Sequence, residues 1–443
     1  MQFCNPFGLL HQLSVPSGEI TTESFVNGFP LDGSSILEFT TIEKSDLVLI
    51  PDPSTFAILP SYFDTSHDDT PQYASKAARM FSFVHNGYGE GQFSRDPRFI
   101  AQKAENYAKK SGFAKTYWAA EVEFFIFDKI MPPQRNNTPN IISKEAPWIS
   151  TNTDDSINFK KGYFRDSPSD TLVNFRDEVC DVLLENFKIN AIAHHHEVAT
   201  AGQSEIVLSH SGLVSMADNF VTATKTIREI ASKRGKVASF NPKPIPADNG
   251  SAVHVNQSLW KVNRNVFSNA FYNDSDKYAE LSQTAYYYIG GLLEHARSLC
   301  AITNPTYQSY RRLVPGYEAP TNIAWGKMNR SISVRIPANY KKRPENKRIE
   351  YRPPDPTSNI YLVQSALLLA GLDGIKKKIQ PPDPVDVNTY KLSDKEMKKM
   401  SLKKLPTSLK ESSDALSSDN TFLKPAFDDD FIDMYIRNLE KIK

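Results

Sequence analysis

Only three cysteines occur in 443 residues, Cys4, Cys180 and Cys300, far apart and odd in number. They provide neither a disulfide framework nor a thiolate metal cage, and their scarcity suits a reducing compartment. No lysine or arginine precedes Lys44, so the chain offers no basic segment of the kind that opens a secretory signal. The longest strongly apolar run, residues 360–372, is too short to cross a bilayer. An excess of either charge is lacking too: 52 Lys and Arg against 51 Asp and Glu leave a net +1, which gives no pull toward nucleic acid or an anionic membrane. The phosphate-cradling Gly-x-x-x-x-Gly-Lys-Ser/Thr loop is absent. A cytosolic globular protein without nucleic-acid or membrane partners is predicted, with its ligands to be found from local clusters.

What the chain does have is a dense polar cluster in apolar surroundings. Residues 193–205 carry His194, His195, His196, Glu197, Gly202 and Glu205, flanked by Ala191-Ile192-Ala193 and Ile206-Val207-Leu208. Carboxylates held in such a setting need a cation or strong donors to stay ionised. A histidine triplet alone would be ordinary surface, but other stretches supply matching groups. Residues 119–127 read as a strand whose period of two sets Glu121 and Glu123 on one face. Residues 252–259 read as another, after the turn Asp248-Asn249-Gly250-Ser251, with His254, Asn256 and Ser258 sharing a face. Farther on, alternation divides Arg330 and Arg335 between the faces of one strand and gathers Arg348, Glu350 and Arg352 on one face of the next.

Around these stretches, residues 3–50 alternate short apolar runs with Pro16, Gly18, Gly28, Pro30 and Gly33, which predicts a small sheet-rich unit carrying Asp32 and Ser35. Glycines within 85–98 read as a linker into a larger domain. Helices are predicted over 98–111, 170–187, 214–233 and 282–299, a surface excursion over 131–160, and a Lys-rich, solvated helical tail over 373–443.

Five carboxylates (Glu121, Glu123, Glu197, Glu205, Glu350) and one imidazole (His254) suffice for two cation sites of three protein ligands each; such oxygen-rich sets suit Mg²⁺ or Mn²⁺. Two such ions beside Arg312, Arg330, Arg335, Arg348 and Arg352 describe a place for a polyphosphate and a carboxylate substrate, and so predict phosphoryl transfer.

The sequence resembles the type I glutamine synthetases, ATP-dependent ligases that join ammonia to glutamate. The likeness runs from about Gly8 to Gly374. It rests on Asp-Gly-Ser-Ser-Ile, Glu-Val-Glu-Phe-Phe, His-His-His-Glu-Val-Ala-Thr-Ala-Gly-Gln, Asn-Pro-Lys-Pro, Asp-Asn-Gly-Ser, Arg-Leu-Val-Pro-Gly-Tyr-Glu-Ala-Pro and Pro-Asp-Pro. It implies an α+β fold: a small β-grasp domain over 1–90, then a large α/β catalytic domain over 91–443 with an antiparallel active-site sheet. It also implies a homododecamer of two stacked hexameric rings, each active site lying between one subunit's small domain and its neighbour's large one.

Carried over by position, the resemblance implies one Mg²⁺ or Mn²⁺ on Glu123, Glu197 and Glu205, orienting glutamate, and a second on Glu121, His254 and Glu350, meeting the ATP phosphates. Asn249, Gly250, Arg312 and Arg352 fall on glutamate-holding positions, Arg330 and Arg335 on those that meet the transferring phosphate, and Ser258 and Arg348 on nucleotide contacts. Asp32 and Ser35 of the adjacent subunit fall on the ammonium site, and Glu318 on the flap carboxylate that closes the site and accepts a proton.

Some positions depart from the family pattern. Asn256 stands where a second histidine is common, Ile192 where bacterial members carry a glutamate, and Met328 where an arginine is usual, all on the nucleotide side. Tyr390 is near a position that some members adenylylate, but Lys391 follows it where acidic residues are usual, so it reads as an exposed tail tyrosine. Two rivals remain. A γ-glutamyl ligase for a larger amine is opposed by the small acidic pair Asp32 and Ser35; a ring-forming protein without chemistry is opposed by the intact metal and phosphate positions.

Overall fold

The structure, a computed structural model, describes residues 1–60, 77–131, 140–142, 157–200, 202–268, 278–338 and 343–442. Most of the predicted excursion at 131–160 lies outside the described residues.

The short apolar runs near the start pair into an antiparallel three-stranded sheet of β1 (Phe29–Asp32), β2 (Asp46–Pro51) and β3 (Ser82–Asn86), in that order. Alternation along β2 turns Leu47 and Leu49 into a core with Phe3, Phe39, Val84 and Phe93. The stretch read as a linker begins inside β3 and ends in α1 (Pro97–Lys110). That helix starts where Asp96 accepts from the Arg98 N–H at 2.9 Å and Pro97 supplies a pre-set φ.

The larger unit is one sheet covered by helices. In chain order its elements are β4 (Lys115–Phe127), α2 (Val173–Phe187), β5 (Ala191–His196), β6 (Gln203–Leu208), α3 (Leu213–Lys233), β7 (Val253–Lys261), α4 (Gln283–Glu294), α5 (Ala296–Thr303), α6 (Tyr307–Arg312), β8 (Asn322–Lys327), β9 (Ile332–Ile336), β10 (Ile349–Tyr351), α7 (Ile360–Lys377), β11 (Lys403–Lys404), α8 (Leu409–Ser418) and α9 (Asp429–Lys441). The strands follow the order β5-β6-β4-β7-β10-β9-β8-β11, and short strands beside β4 and β7 bring the sheet to ten. Every pairing is antiparallel except β8 with β9. Ala120, Val122, Phe124 and Ile126 of β4 are buried in the main core, where α1 and α3 pack, which leaves the opposite face of the strand to Glu121 and Glu123.

The apolar run at 360–372 is α7, buried along that whole stretch as the central helix of the core. No helix among the described residues is long and apolar enough to cross a membrane. The two units are tied together at Arg98. Its guanidinium donates to both oxygens of Asp218 on α3 (3.0 and 2.9 Å) and to Asp52, just past β2, at 2.7 Å. The Tyr361 hydroxyl of α7 donates to Asp218 at 2.6 Å. Removing one partner from such a buried network costs about 3–5 kcal/mol, because the remaining charge is stranded.

The tail differs from its prediction. Residues 394–399 form a short helix with no buried residue, as a lysine-rich face should. Beyond it, Phe422, Leu423, Phe427, Phe431 and Tyr435 join the main core, so α8 and α9 are structural helices and not a solvated appendage. Tyr390 is not an exposed tail tyrosine either: its hydroxyl donates to the Ala319 carbonyl at 2.9 Å, and burial pushes its pKa up to about 12.

Candidate active site

Strand register gathers the polar residues. Glu205 on β6 lies opposite Glu123 on β4 and His195 on β5. His254 on β7 lies opposite Glu121, and Glu350 on β10 lies opposite both Asn256 and Arg335 on β9. Residues opposite one another in a ladder share a face, so all of these side chains leave the sheet on the same side. Glu197 joins them through the turn after β5, where its N–H donates to the Gln203 carbonyl at 2.9 Å. That turn needs a glycine: Gly202 has φ +66°, and a Cβ there would stand 2.3 Å from the Ile126 carbonyl oxygen.

The resulting contacts are close. His254 Nδ1 is 3.1 Å from Glu121 Oε2, and His195 Nε2 is 3.2 Å from Glu205 Oε1. One ligand atom each from Glu121, Glu205 and His254 falls within 4.8 Å of the others, and the same holds for His195, Glu197 and Glu205. Burial, then repulsion from neighbouring glutamates, pushes Glu197 and Glu205 well above the carboxylate range. Glu123 is raised by burial against the pull of Arg312 and Arg352. Burial, together with Arg352, holds His254 well below its usual pKa, so the ring is neutral, the form that ligates metals. Crowded carboxyl oxygens with a neutral imidazole are a donor set that fits a hard divalent cation, whose charge would relieve the repulsion. Glu205 belongs to both groupings and His195 to one. Glu350, expected among the ligands, is here engaged by Arg335 and, at 3.2 Å, by Arg352.

Arginines border the carboxylates. Buried Arg312, ending α6, donates to the Pro353 carbonyl at 2.7 Å, and Arg352 donates to the Glu318 carbonyl at 3.2 Å. Arg330 departs from the predicted alternation, because β9 begins at Ile332 and Arg330 precedes it in a turn. It therefore lines the same cavity. Against the effect of burial, Glu350, Glu121 and Glu197 hold its guanidinium above the usual pKa.

Glu123, Glu197, Glu205, His254, Arg312, Arg330 and Arg352 bound a cavity of about 330 Å³, with Asn249, Gly250 and Glu318 also on its wall; Glu350 and Arg335 do not line it. The buried Oδ1 of Asn249 has no hydrogen-bond partner among the described residues. A Cβ on Gly250 would stand 2.1 Å from the Pro242 carbonyl oxygen, so only glycine permits this backbone path. A second cavity, about 280 Å³, is bounded by Glu121, Ile192, Asn256, Ser258, Trp260 and Arg348. Arg348 donates to Asn256 Oδ1 at 2.9 Å, and the Asn256 amide donates to Glu121 at 2.9 Å. Asn256 thus ties Arg348 to Glu121 along the wall of this second cavity. Met328 is exposed and borders neither of them.

Asp32 and Ser35 are not brought to either cavity within one chain. Asp32 caps the turn after β1, accepting from the Ser34 N–H at 2.9 Å and from the Ser34 and Ser35 hydroxyls at 2.6 and 2.5 Å. The Ser34 and Ser35 hydrogen bonds hold this exposed carboxyl below its usual pKa.

Sequence reasoning left several residues without roles. Only His195 of the triplet faces the carboxylates; His194 turns to Asp177 at 2.9 Å, and His196 is fully buried. Strand alternation is the signal that separates them. Tyr163, Lys160 and Gln203 also line the larger cavity. Gln203 donates to the Gly250 carbonyl at 2.9 Å and so sets the turn that carries Asn249.

The family model of the glutamine synthetase catalytic domain matches residues 94–441, and that of the glutamine synthetase beta-Grasp domain matches residues 1–86. The chain belongs to the glutamine synthetase family. A glutamine synthetase of Sulfolobus acidocaldarius is 46% identical over 98% of this chain and 90% of its own. One from Frankia alni is 40% identical, again over 98% of this chain and 90% of its own. Among solved structures, Plasmodium falciparum glutamine synthetase superposes with a TM-score of 0.86 at 28% identity, covering 99% of this chain and 91% of that one. The expected fold, a β-grasp unit followed by a catalytic domain of mixed helix and sheet, stands. Its active-site sheet is antiparallel apart from the β8–β9 pair.

Proposed function

We propose that this protein makes L-glutamine from L-glutamate and ammonium, with ATP converted to ADP and phosphate. The observation that carries this reading is the row of buried carboxylates on one sheet face, bordered by Arg312, Arg330, Arg335 and Arg352. Membership of the glutamine synthetase family supports it.

In this reading Arg312 and Arg352, with Asn249 and the Gly250 backbone, hold glutamate. The unpartnered Asn249 oxygen accepts from its ammonium group, and the guanidiniums take its α-carboxylate. Ser258 and Arg348 hold the nucleotide. The γ-carboxylate oxygen attacks the terminal phosphorus of ATP, the bridging oxygen leaves with ADP, and Arg330 and Arg335 offset the charge that grows between them. Two Mg²⁺ or Mn²⁺, which Glu123, Glu197 and Glu205 and then Glu121, His254 and Glu350 would hold, supply further neutralisation of the phosphate oxygens. The product of this step is γ-glutamyl phosphate. Asp32, with Ser35, binds NH₄⁺ and takes one proton; ammonia attacks the acyl carbon, phosphate departs, and Glu318 takes the second proton. Since Asp32 and Ser35 reach neither cavity of their own chain, the reading needs a neighbouring subunit, in a homododecamer of two stacked hexamers working in the cytosol.

The reading is tested at Asp32. Its depressed pKa keeps the carboxylate charged at neutral pH, as cation binding requires. Asp32→Asn keeps the size and removes the charge, so glutamine formation should fall at least about tenfold while ammonia-independent phosphate release persists. Parallel assays of glutamine and phosphate check this. Unchanged glutamine yield would remove Asp32 from the reaction.

A further inference from the structure

We propose that Tyr317 is a positioning residue: its ring, gripped by the ammonium groups of Lys160 and Lys243, fixes the loop that carries Glu318 against the larger cavity and so keeps water from the acyl phosphate. This rests on the reaction proposed above.

Residues 313–321 join α6 to β8 without helix or strand, so no backbone ladder holds them. Gly316 has φ +89° and Glu318 φ +61°, the latter an uncommon conformation for a residue that carries a Cβ. A loop of this kind keeps one shape only through outside contacts. Arg352 holds the Glu318 carbonyl, Tyr390 the Ala319 carbonyl, and Lys160 Nζ donates to the Gly316 carbonyl at 3.0 Å. The remaining contact is unusual. Lys160 Nζ stands 3.9 Å and Lys243 Nζ 3.5 Å from the centroid of the Tyr317 ring.

Two ammonium groups repel each other, and gathering them at one ring is unfavourable unless its electron-rich face attracts both. Lys243 is the more buried of the two. It is 6% exposed, does not line the cavity, and donates to the Asp248 carbonyl, so it is not a substrate contact. Burial, then the charge of Lys160, lowers its pKa to about 8. Lys160, Arg312 and Asp248 are the charged groups that face it. The grip is therefore nearly complete at pH 7, half lost near pH 8 and weaker still above it, as Lys243 loses its proton.

A loosened loop admits water, which attacks γ-glutamyl phosphate in place of ammonia, returning glutamate and phosphate with the net hydrolysis of one ATP. The experiment measures phosphate released per glutamine formed by the full-length enzyme, with ATP and glutamate saturating and ammonium limiting. Tyr317→Leu should raise that ratio about tenfold, whereas Tyr317→Phe, which keeps the ring, should stay within about twofold of the unmutated enzyme. Between pH 7 and 9 the unmutated ratio should climb, while Lys243→Met should be high throughout and flat. Tight coupling in Tyr317→Leu, or equal leakage in Tyr317→Phe, overturns the inference, as does a Lys243→Met profile parallel to the unmutated one. If the unmutated protein makes no glutamine at all, it is the reaction itself that falls.

Discussion

Glu197→Ala and Glu121→Ala should each lose roughly 10³-fold in glutamine turnover, equivalent to about 4 kcal/mol of transition-state stabilisation. Each variant removes one oxygen ligand from a group of side chains whose only common task is to meet positive charge. Burial and mutual repulsion push Glu197 and Glu205 well above the usual carboxylate range, so a nearby cation favours their ionised, ligating forms. Chelation should abolish turnover by the unmutated protein, and Mg²⁺ or Mn²⁺ should restore it. Neither variant should recover at any concentration of the metal. Steady-state rates across a metal titration check this, with Mn²⁺ binding followed by paramagnetic resonance. Full turnover by either variant would remove the two-cation assignment.

The second large effect appears only on mixing. Asp32→Ala and Glu197→Ala protomers should each be inert alone if, as proposed above, each site takes its ammonium residue from one subunit and its carboxylates from the next. Dissociated, mixed in equal amounts and reassembled, they should regain about one quarter of the unmutated activity, the fraction of interfaces that escape both lesions when neighbours are chosen at random. The exposed position of Asp32, on neither cavity wall of its own chain, is the reason to expect this. Activity in an Asp32→Ala homo-oligomer, or in a monomer seen by light scattering, would contradict the shared site.

What the sequence disclosed was what each strand does by itself. Glu121 with Glu123, His254 with Asn256, and Glu350 with Arg352 each fall on one face because a strand alternates, and this is readable from spacing. What alternation cannot disclose is which residue stands opposite. Pairing of β6 with β4 brings Glu205 to Glu123, far away in sequence, and it depends on long-range contacts. Arg330 escapes alternation for the complementary reason: the strand starts at Ile332, so the arginine before it follows turn geometry. Lysine content correctly marked residues 394–399 as solvated, but not the aromatic groups farther on, whose partners are distant in sequence. Tyr390 was missed likewise, because its partner, Ala319, lies 71 positions away.

Product identity decides most directly whether the ammonium reading is right. Ammonia, methylamine, ethylamine and putrescine would be supplied at matched concentrations with ATP and glutamate, and the products identified by mass spectrometry. A compact acidic site at Asp32, lined by serine hydroxyls at 2.5 and 2.6 Å, suits four short charge-assisted hydrogen bonds better than an alkyl chain. Glutamine should dominate, with the highest kcat/KM for ammonia and no comparable turnover of the alkylamines. A higher kcat/KM for any alkylamine would contradict glutamine synthesis and establish a γ-glutamylamine ligase in its place.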